Sequence, residues 1–264
     1  TGRAMDEVLD SVMESGDRVA GVALTSGSAG TLGSADFIKS HHPHARIAVG
    51  EALQCPTLLQ NGFGGHRIEG IGDKHVPWIH NVRNTDMVVA VDDELTVRLM
   101  RLMNEEAGRE YLVSAGAPAE LVGTLDLLGI SGIGNVVAAI KMAKYYELTA
   151  KDVVLTVLTD SMELYGSRLA ELSAERGPYG HDDAVRDHDA LKRIGTDSML
   201  ELRYPDRRRI HNLKYYTWIE QQGRELDELN RQWYDYYEYW DREGLADCID
   251  ERIEAFNDEV VGRS

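Results

Sequence analysis

Apolar and polar positions fall into blocks along this chain, and the spacing within a block changes from one to the next. Met5, Val8, Leu9, Val12 and Met13 recur three and four apart, as on one face of a helix, and Gly16 ends the run, so a helix is expected over residues 4–14. Residues 19–24, Val-Ala-Gly-Val-Ala-Leu, are instead continuously apolar, the pattern of a strand buried on both faces. A helix to about residue 41 and a short strand at 46–51 follow. The same reading predicts a strand at 87–91, a helix capped by Asp92 or Asp93 that runs through Leu99 and Met103, and a helix over 134–146. Residues 151–158 form the clearest buried strand. Helices that alternate with such strands define an α/β fold with a parallel-rich sheet.

Two stretches break the pattern. Between residues 52 and 85, Gly, Pro, His and Asn replace periodicity, and a loop that long within a compact domain usually carries function. Beyond residue 177 the chain turns polar, then aromatic in "HNLKYYTWIEQQG" and "QWYDYYEYW", which predicts one long helix or a helix pair used for packing. The expected organisation is an α/β part over residues 1–176 and a helical, aromatic-rich extension over 177–264, packed on the first part or on a partner subunit.

Composition narrows the function. The 264 residues carry 45 acidic against 28 basic side chains, a formal charge of −17, which disfavours nucleic acid and anionic membrane surfaces as partners. Cys55 and Cys248 have neither metal-type spacing nor the number a disulfide framework needs, so a reducing cytoplasm is the expected compartment and Cys55 is expected to pack. No apolar run approaches a membrane span, and the first residues lack the pattern of a signal peptide. The absence of an initiator Met points to a processed or truncated chain.

The candidate chemistry begins at "LTSGSAGTLGS", residues 24–34, between the first strand and its helix. Gly27, Ser28, Ala29, Gly30 and Thr31 are small enough for backbone N–H groups to converge on a phosphate at a helix N-terminus, and they equally suit an ordinary tight turn. In "IEGIGDKHVPWIHN", Asp73, Lys74, His75 and His80 offer neither helical His spacing nor a third ligand, so no metal site is expected. That segment, Gly72, Asp73 and His75 in particular, is a candidate substrate-entrance loop or a solvated, ordered one. His41, His42 and His44 are expected to be exposed at a helix end, and Arg207, Arg208 and Arg209 to form a solvated turn.

Four markers in one order resemble the second half of the fold-type II pyridoxal-phosphate enzymes, the cysteine synthase and cystathionine β-synthase family, over residues 1–168. They are the loop from Gly27 to Thr31, with Ser28 and Ala29 in place of two family glycines; Gly70-Ile71-Gly72 with Val76-Pro77; Gly129-Ile130-Ser131-Gly132; and Thr159-Asp160-Ser161, with Thr for the family's Pro. The resemblance implies part of a large cofactor-binding domain, with pyridoxal 5'-phosphate held at its phosphate by residues 27–31, near Gly70, and at its pyridine nitrogen by the Ser161 hydroxyl. As a helix N-cap, Ser161 would have a purely structural use. The implied function is β-elimination or β-replacement on a small amino acid, by a lyase or transferase of amino-acid metabolism that forms a homo-oligomer.

The family's Schiff-base lysine has no counterpart here. Lys39, Lys74, Lys141, Lys144, Lys151, Lys192 and Lys214 all lie in other contexts, so an N-terminal portion or second chain is expected to supply it. The alternatives are a noncatalytic subunit and a phosphate- or nucleotide-binding regulatory module. For a dinucleotide, the nearest acidic residue to the place of a ribose ligand is Glu51.

Overall fold

A computed structural model of the chain describes residues 1–72, 74–240 and 248–261. Its contacts divide it into two units, Thr1–Lys214 and Tyr215–Ser264.

The first unit opens with α1 (Gly2–Val12), β1 (Arg18–Thr25), α2 (Gly30–His41), β2 (Arg46–Ala52) and the single turn α3 (Thr57–Gln60). It continues through β3 (Met87–Val91), α4 (Asp93–Asn104), α5 (Glu106–Ser114), α6 (Ala119–Gly123), α7 (Ile130–Tyr145) and β4 (Asp152–Leu155). The unit closes with α8 (Gly166–Arg176), α9 (His181–Lys192), β5 (Met199–Glu201) and α10 (Tyr204–Lys214). The strands form one sheet in the order β4-β1-β2-β3-β5. The first four are parallel, and β5 joins β3 antiparallel.

Alternation along the strands distributes the core over both faces, because successive side chains of a strand point opposite ways. Val22, Leu24, Ile47, Val49 and Val88 face α1, α2 and α10, where they meet Leu9, Leu32, Ile38 and Ile210. Ala23, Ala48, Met87, Val89 and Val91 face the other layer, with Met100 of α4, Ile133 and Val137 of α7, Leu172 of α8 and Ala184 of α9. Both faces are covered, as a parallel sheet requires.

Several expected boundaries move. The division at residue 176 falls within the first unit, because β5 extends the sheet and Ile210 of α10 completes one core; the break comes after Lys214. The strand expected at 151–158 is only four residues long and half-buried, since β4 lies at the sheet edge with one neighbour. α2 begins at Gly30, within the small-residue run, and α7 begins at Ile130, four residues ahead of its expected start. Gly and Ser are weak helix formers, which hides a helix start built from them.

Arg207 and Arg209 belong to α10 rather than to a solvated turn. Arg207 donates to the Thr85 carbonyl at 2.7 Å and to Asp86 at 3.1 Å, and Arg209 to the Leu58 carbonyl at 2.7 Å. Asp86 also accepts from Lys39 at 2.6 Å and from the Ile47 N–H at 2.8 Å, so this one carboxylate joins α2, β2 and α10. Cys55 packs in the core, and His41 and His44 are exposed.

In the second unit, a π-helical run over Tyr215–Gln221 precedes helices over Leu226–Tyr234, Tyr236–Trp240 and Ile249–Val261, more pieces than the expected helix or pair. Tyr239 donates to Glu228 at 2.9 Å, and the Trp240 indole N–H to the Gln232 carbonyl at 2.9 Å. Among the described residues, no helix is long and apolar enough to cross a membrane.

Candidate functional site

The chain order places β2 and β3 on one side of β1, then returns past them to set β4 on the other. The connection after β1 lays α2 on one face of the sheet and the connection after β4 lays α8 and α9 on the other, and the crevice beyond the carboxyl ends of the strands is where open α/β sheets bind ligands. A cavity of about 140 Å³ lies there, lined by Thr25, Gly27, Ser28, Ala29, Gly30 and Thr31 after β1, Gly70 and Ile71 of the long loop, Ser131 and Asn135 of α7, and Thr159 after β4.

Each wall has a local cause. Ala29 takes a left-handed conformation, φ 69° and ψ 11°, which turns the chain sharply out of β1 into α2. This is where the resembling family has glycine, and the backbone conformation is one that glycine adopts freely. Across the cavity, Gly70 has φ +84°, and its carbonyl lies 3.0 Å from where a Cβ on Gly27 would sit, so a side chain at residue 27 would press the two loops apart by a few tenths of an ångström. Asn135, one turn into α7, accepts from the Thr25 N–H at 2.6 Å and donates to the Val157 carbonyl at 2.6 Å. It joins the end of β1 to the segment leaving β4, which no strand ladder connects at that height. Thr156 adds a bond to the Ala23 carbonyl at 2.7 Å.

The lining is electrically neutral throughout. Its attraction for an anion comes from the backbone: α2 and α7 both start at the cavity, and each contributes unpaired N–H groups and the positive end of its dipole. The Ser28 and Thr31 hydroxyls stand beside the first turn of α2. This donor set fits a phosphate monoester, since no cradle side chain is larger than Thr and two converging helix N-termini supply positive potential.

The expected residues separate into groups. Gly27, Ser28, Ala29, Gly30, Thr31 and Gly70 come together at the cavity. Gly72 lies behind it, its N–H donating to the Ser26 carbonyl at 3.2 Å, and His75 is half-buried outside the lining. Asp73 lies outside the described residues. Ser161 is not in the lining either: it stands at the start of a short 3₁₀ turn, Met162–Tyr165, and its side chain makes no capping bond. Besides Thr25, Ser28 and Thr31, the hydroxyl residues in the lining are Ser131 and Thr159, their oxygens 3.1 Å apart. The sequence marks Ser131 only as part of a turn and gives Asn135 no role by motif, although an Asn amid the Gly, Val and Ala of an apolar helix is itself a signal of a buried polar task.

Glu51 is committed elsewhere. It is buried, and its carboxylate accepts the Leu58 and Leu59 N–H groups, both at 2.8 Å, at the start of α3. Glu51 is not part of the cavity lining. Burial pushes its pKa up to about 7, against the pull of these two bonds and of Arg209.

Curated relatives point the same way as the site. Cysteine synthase B of Campylobacter jejuni is 29% identical over 140 residues, covering 53% of this chain and 40% of that protein. A cysteine synthase of Staphylococcus aureus is 28% identical over 140 residues, covering 53% and 39%. Over these 140 residues the chain is similar to the cysteine synthases. The chain spans about two fifths of the length of these cysteine synthases. The fold agrees: the cysteine synthase of Entamoeba histolytica superposes with a TM-score of 0.53 at 19% identity, covering 72% of this chain and 49% of that one. The O-acetylserine sulfhydrylase isoform 3 of the same organism gives 0.51 at 18%, covering 70% and 49%. No family model matches the chain.

Proposed function

We propose that the cavity holds the phosphate of pyridoxal 5'-phosphate and that this chain supplies part of the site of an enzyme carrying out β-elimination or β-replacement on a small amino acid. The observation that carries the reading is the meeting of two helix N-termini around a cradle of small residues at the crevice between β1 and β4. When bound, this cofactor stabilises negative charge on the α-carbon of an amino acid.

The residues of the chain bind and orient. N–H groups of residues 27–31 and the Ser28 and Thr31 hydroxyls take the phosphate, while Gly70 and Ile71 close the cradle from the opposite side. Ser161 keeps the ring-nitrogen role that the resemblance implies, and Ser131 and Thr159, which line the cavity, offer two further hydroxyls to the cofactor. The lysine is assigned to an N-terminal portion or a second polypeptide, in keeping with a lining that contains none among the described residues. The same neutral lining suits a noncatalytic subunit that keeps only the binding half of the site.

Titration of the purified chain with pyridoxal 5'-phosphate, followed by borohydride reduction and peptide mapping, tests both parts. Saturable binding is expected for the wild type. Gly30→Asp has room for its side chain but sets a carboxylate against the phosphate, and it is expected to weaken binding at least about tenfold, roughly 1.4 kcal/mol. Equal affinity in this variant removes the phosphate role. A specific pyridoxyl adduct on a lysine of this chain would overturn the placement of the reacting lysine elsewhere.

A further inference from the structure

The last described helix, Ile249–Val261, presents an apolar seam that the proposed function does not use. Ile249, Ile253, Phe256 and Val260 follow one another at intervals of four, three and four residues, and each is at least 48% exposed. At 3.6 residues per turn such spacing puts all of them on one face. It is the d-a-d-a pattern of a coiled-coil heptad, with Ile249 and Phe256 at d and Ile253 and Val260 at a. The opposite side of the helix carries Glu251, Glu254 and Asp258. A continuous apolar stripe with a charged back marks an interaction surface, unlike an apolar residue exposed singly.

The residues that flank the seam decide what can cover it. Asp250 and Asn257 stand at e positions, and Arg252 and Glu259 at g positions. When two copies of a helix pair antiparallel, a layers meet d layers, g faces g and e faces e; when they pair parallel, g faces e. The antiparallel alignment that uses the whole seam sets Ile249 against Val260 of the second copy and Ile253 against Phe256. Arg252 then faces Glu259 at both ends of the seam, and Asp250 faces the neutral Asn257. Opposite charges meet on one flank and no like charges meet on the other. A parallel alignment would set Arg252 against Asn257 and form neither ion pair. Within its own chain Arg252 has no ion-pair partner among the described residues.

We propose that the helix Ile249–Val261 is a self-association surface whose occupant is the same helix of a second copy of this chain, lying antiparallel, with the Arg252–Glu259 pairs fixing the direction. Association covers both stripes at once, because the four apolar side chains of each copy leave water for those of the other. A helix of thirteen residues offers a seam of about 20 Å and is marginal by itself in water, so pairing also stabilises the helix. A contact this small gives a reversible dimer rather than a permanent one. The seam belongs to the second unit and the cavity to the first, so self-association does not depend on the cofactor reading.

Sedimentation equilibrium of the full chain over a concentration series, at about 0.15 M salt so that distant charges are screened, tests this. The wild type is compared with Ile253→Asp, Arg252→Glu, and a double variant in which Arg252→Glu is combined with Glu259→Arg. All three positions are exposed, so each variant keeps the fold. The wild type is expected to dimerise reversibly and Ile253→Asp to stay monomeric. Arg252→Glu sets carboxylates against each other at both ends of the seam and is expected to raise the dissociation constant at least about threefold, whereas the double variant returns to within about twofold of the wild type. A wild type that is monomeric throughout overturns the proposal, as does a dimer that survives Ile253→Asp. An Arg252→Glu variant that dimerises as well as the wild type, or a double variant that recovers none of the loss, overturns the antiparallel pairing.

Discussion

Ala29 carries a cost that the position does not require. A residue with a Cβ pays roughly 1–2 kcal/mol in the left-handed region, which glycine enters freely. Ala29→Gly is therefore expected to stabilise the fold by about 1 kcal/mol, read as a rise in the urea midpoint at unchanged slope. A lower midpoint would show that Ala29 gains more from its own burial than it loses in the turn. Glu51 makes a second residue-scale prediction. The folded chain keeps it protonated up to about pH 7, against a usual value of 4.5. Between those values the unfolded chain binds fewer protons, so stability from this group is full below about pH 4.5 and declines as pH rises to 7, by about 3 kcal/mol in all. Urea midpoints of the wild type and Glu51→Gln at pH 5 and pH 8 check this: the wild type should lose ground to the variant at the higher pH, and a difference independent of pH would refute it.

At the scale of elements, the cavity depends on how β1 and the segment after β4 are held apart and in line. β4 pairs with β1 for only four residues, and beyond them Asn135 replaces the ladder with one accepted and one donated bond. Asn135→Ala leaves a buried N–H and a nearby carbonyl without these partners, at a cost of about 1–3 kcal/mol each. The expected result is a loss of about 2–4 kcal/mol in urea unfolding together with weaker phosphate binding. A loss of stability with phosphate affinity intact would place the Asn135 bonds outside the working site. The helix starts matter in the same way: because α2 and α7 begin at Gly30 and Ile130, their first turns line the cavity together with residues 27–29 of the loop before α2.

For the whole molecule, a formal charge of −17 over 264 residues means that compaction brings many like charges together. Ion pairs such as Arg98 with Asp187 at 2.7 Å and Arg176 with Glu94 at 2.6 Å relieve this locally across α4, α8 and α9. The excess remains, and salt screens it over about 10 Å at 0.1 M. Raising sodium chloride from low concentration to a few tenths molar is expected to raise the Tm, and a fall would mean that the pairs outweigh the general repulsion.

What the sequence by itself determined was set by local rules. Continuous apolar runs marked β1, β2 and β3 to within a residue or two, Asp92 announced the cap of α4 and accepts the Glu94 N–H at 3.1 Å, and the small residues after β1 announced a tight turn into α2. The pattern also carried the α/β class, because burial of a strand on both faces leaves no polar alternation. What only the tertiary structure decided depended on partners distant in the chain. β4 reads as a buried strand but lies at an edge, and Arg207 reads as a solvent residue but binds an aspartate 121 positions away. The lining of the cavity was of this kind: Ser131 and Asn135 of α7 and Thr159 after β4 meet the turn after β1 there, although they lie about a hundred positions or more further along the chain.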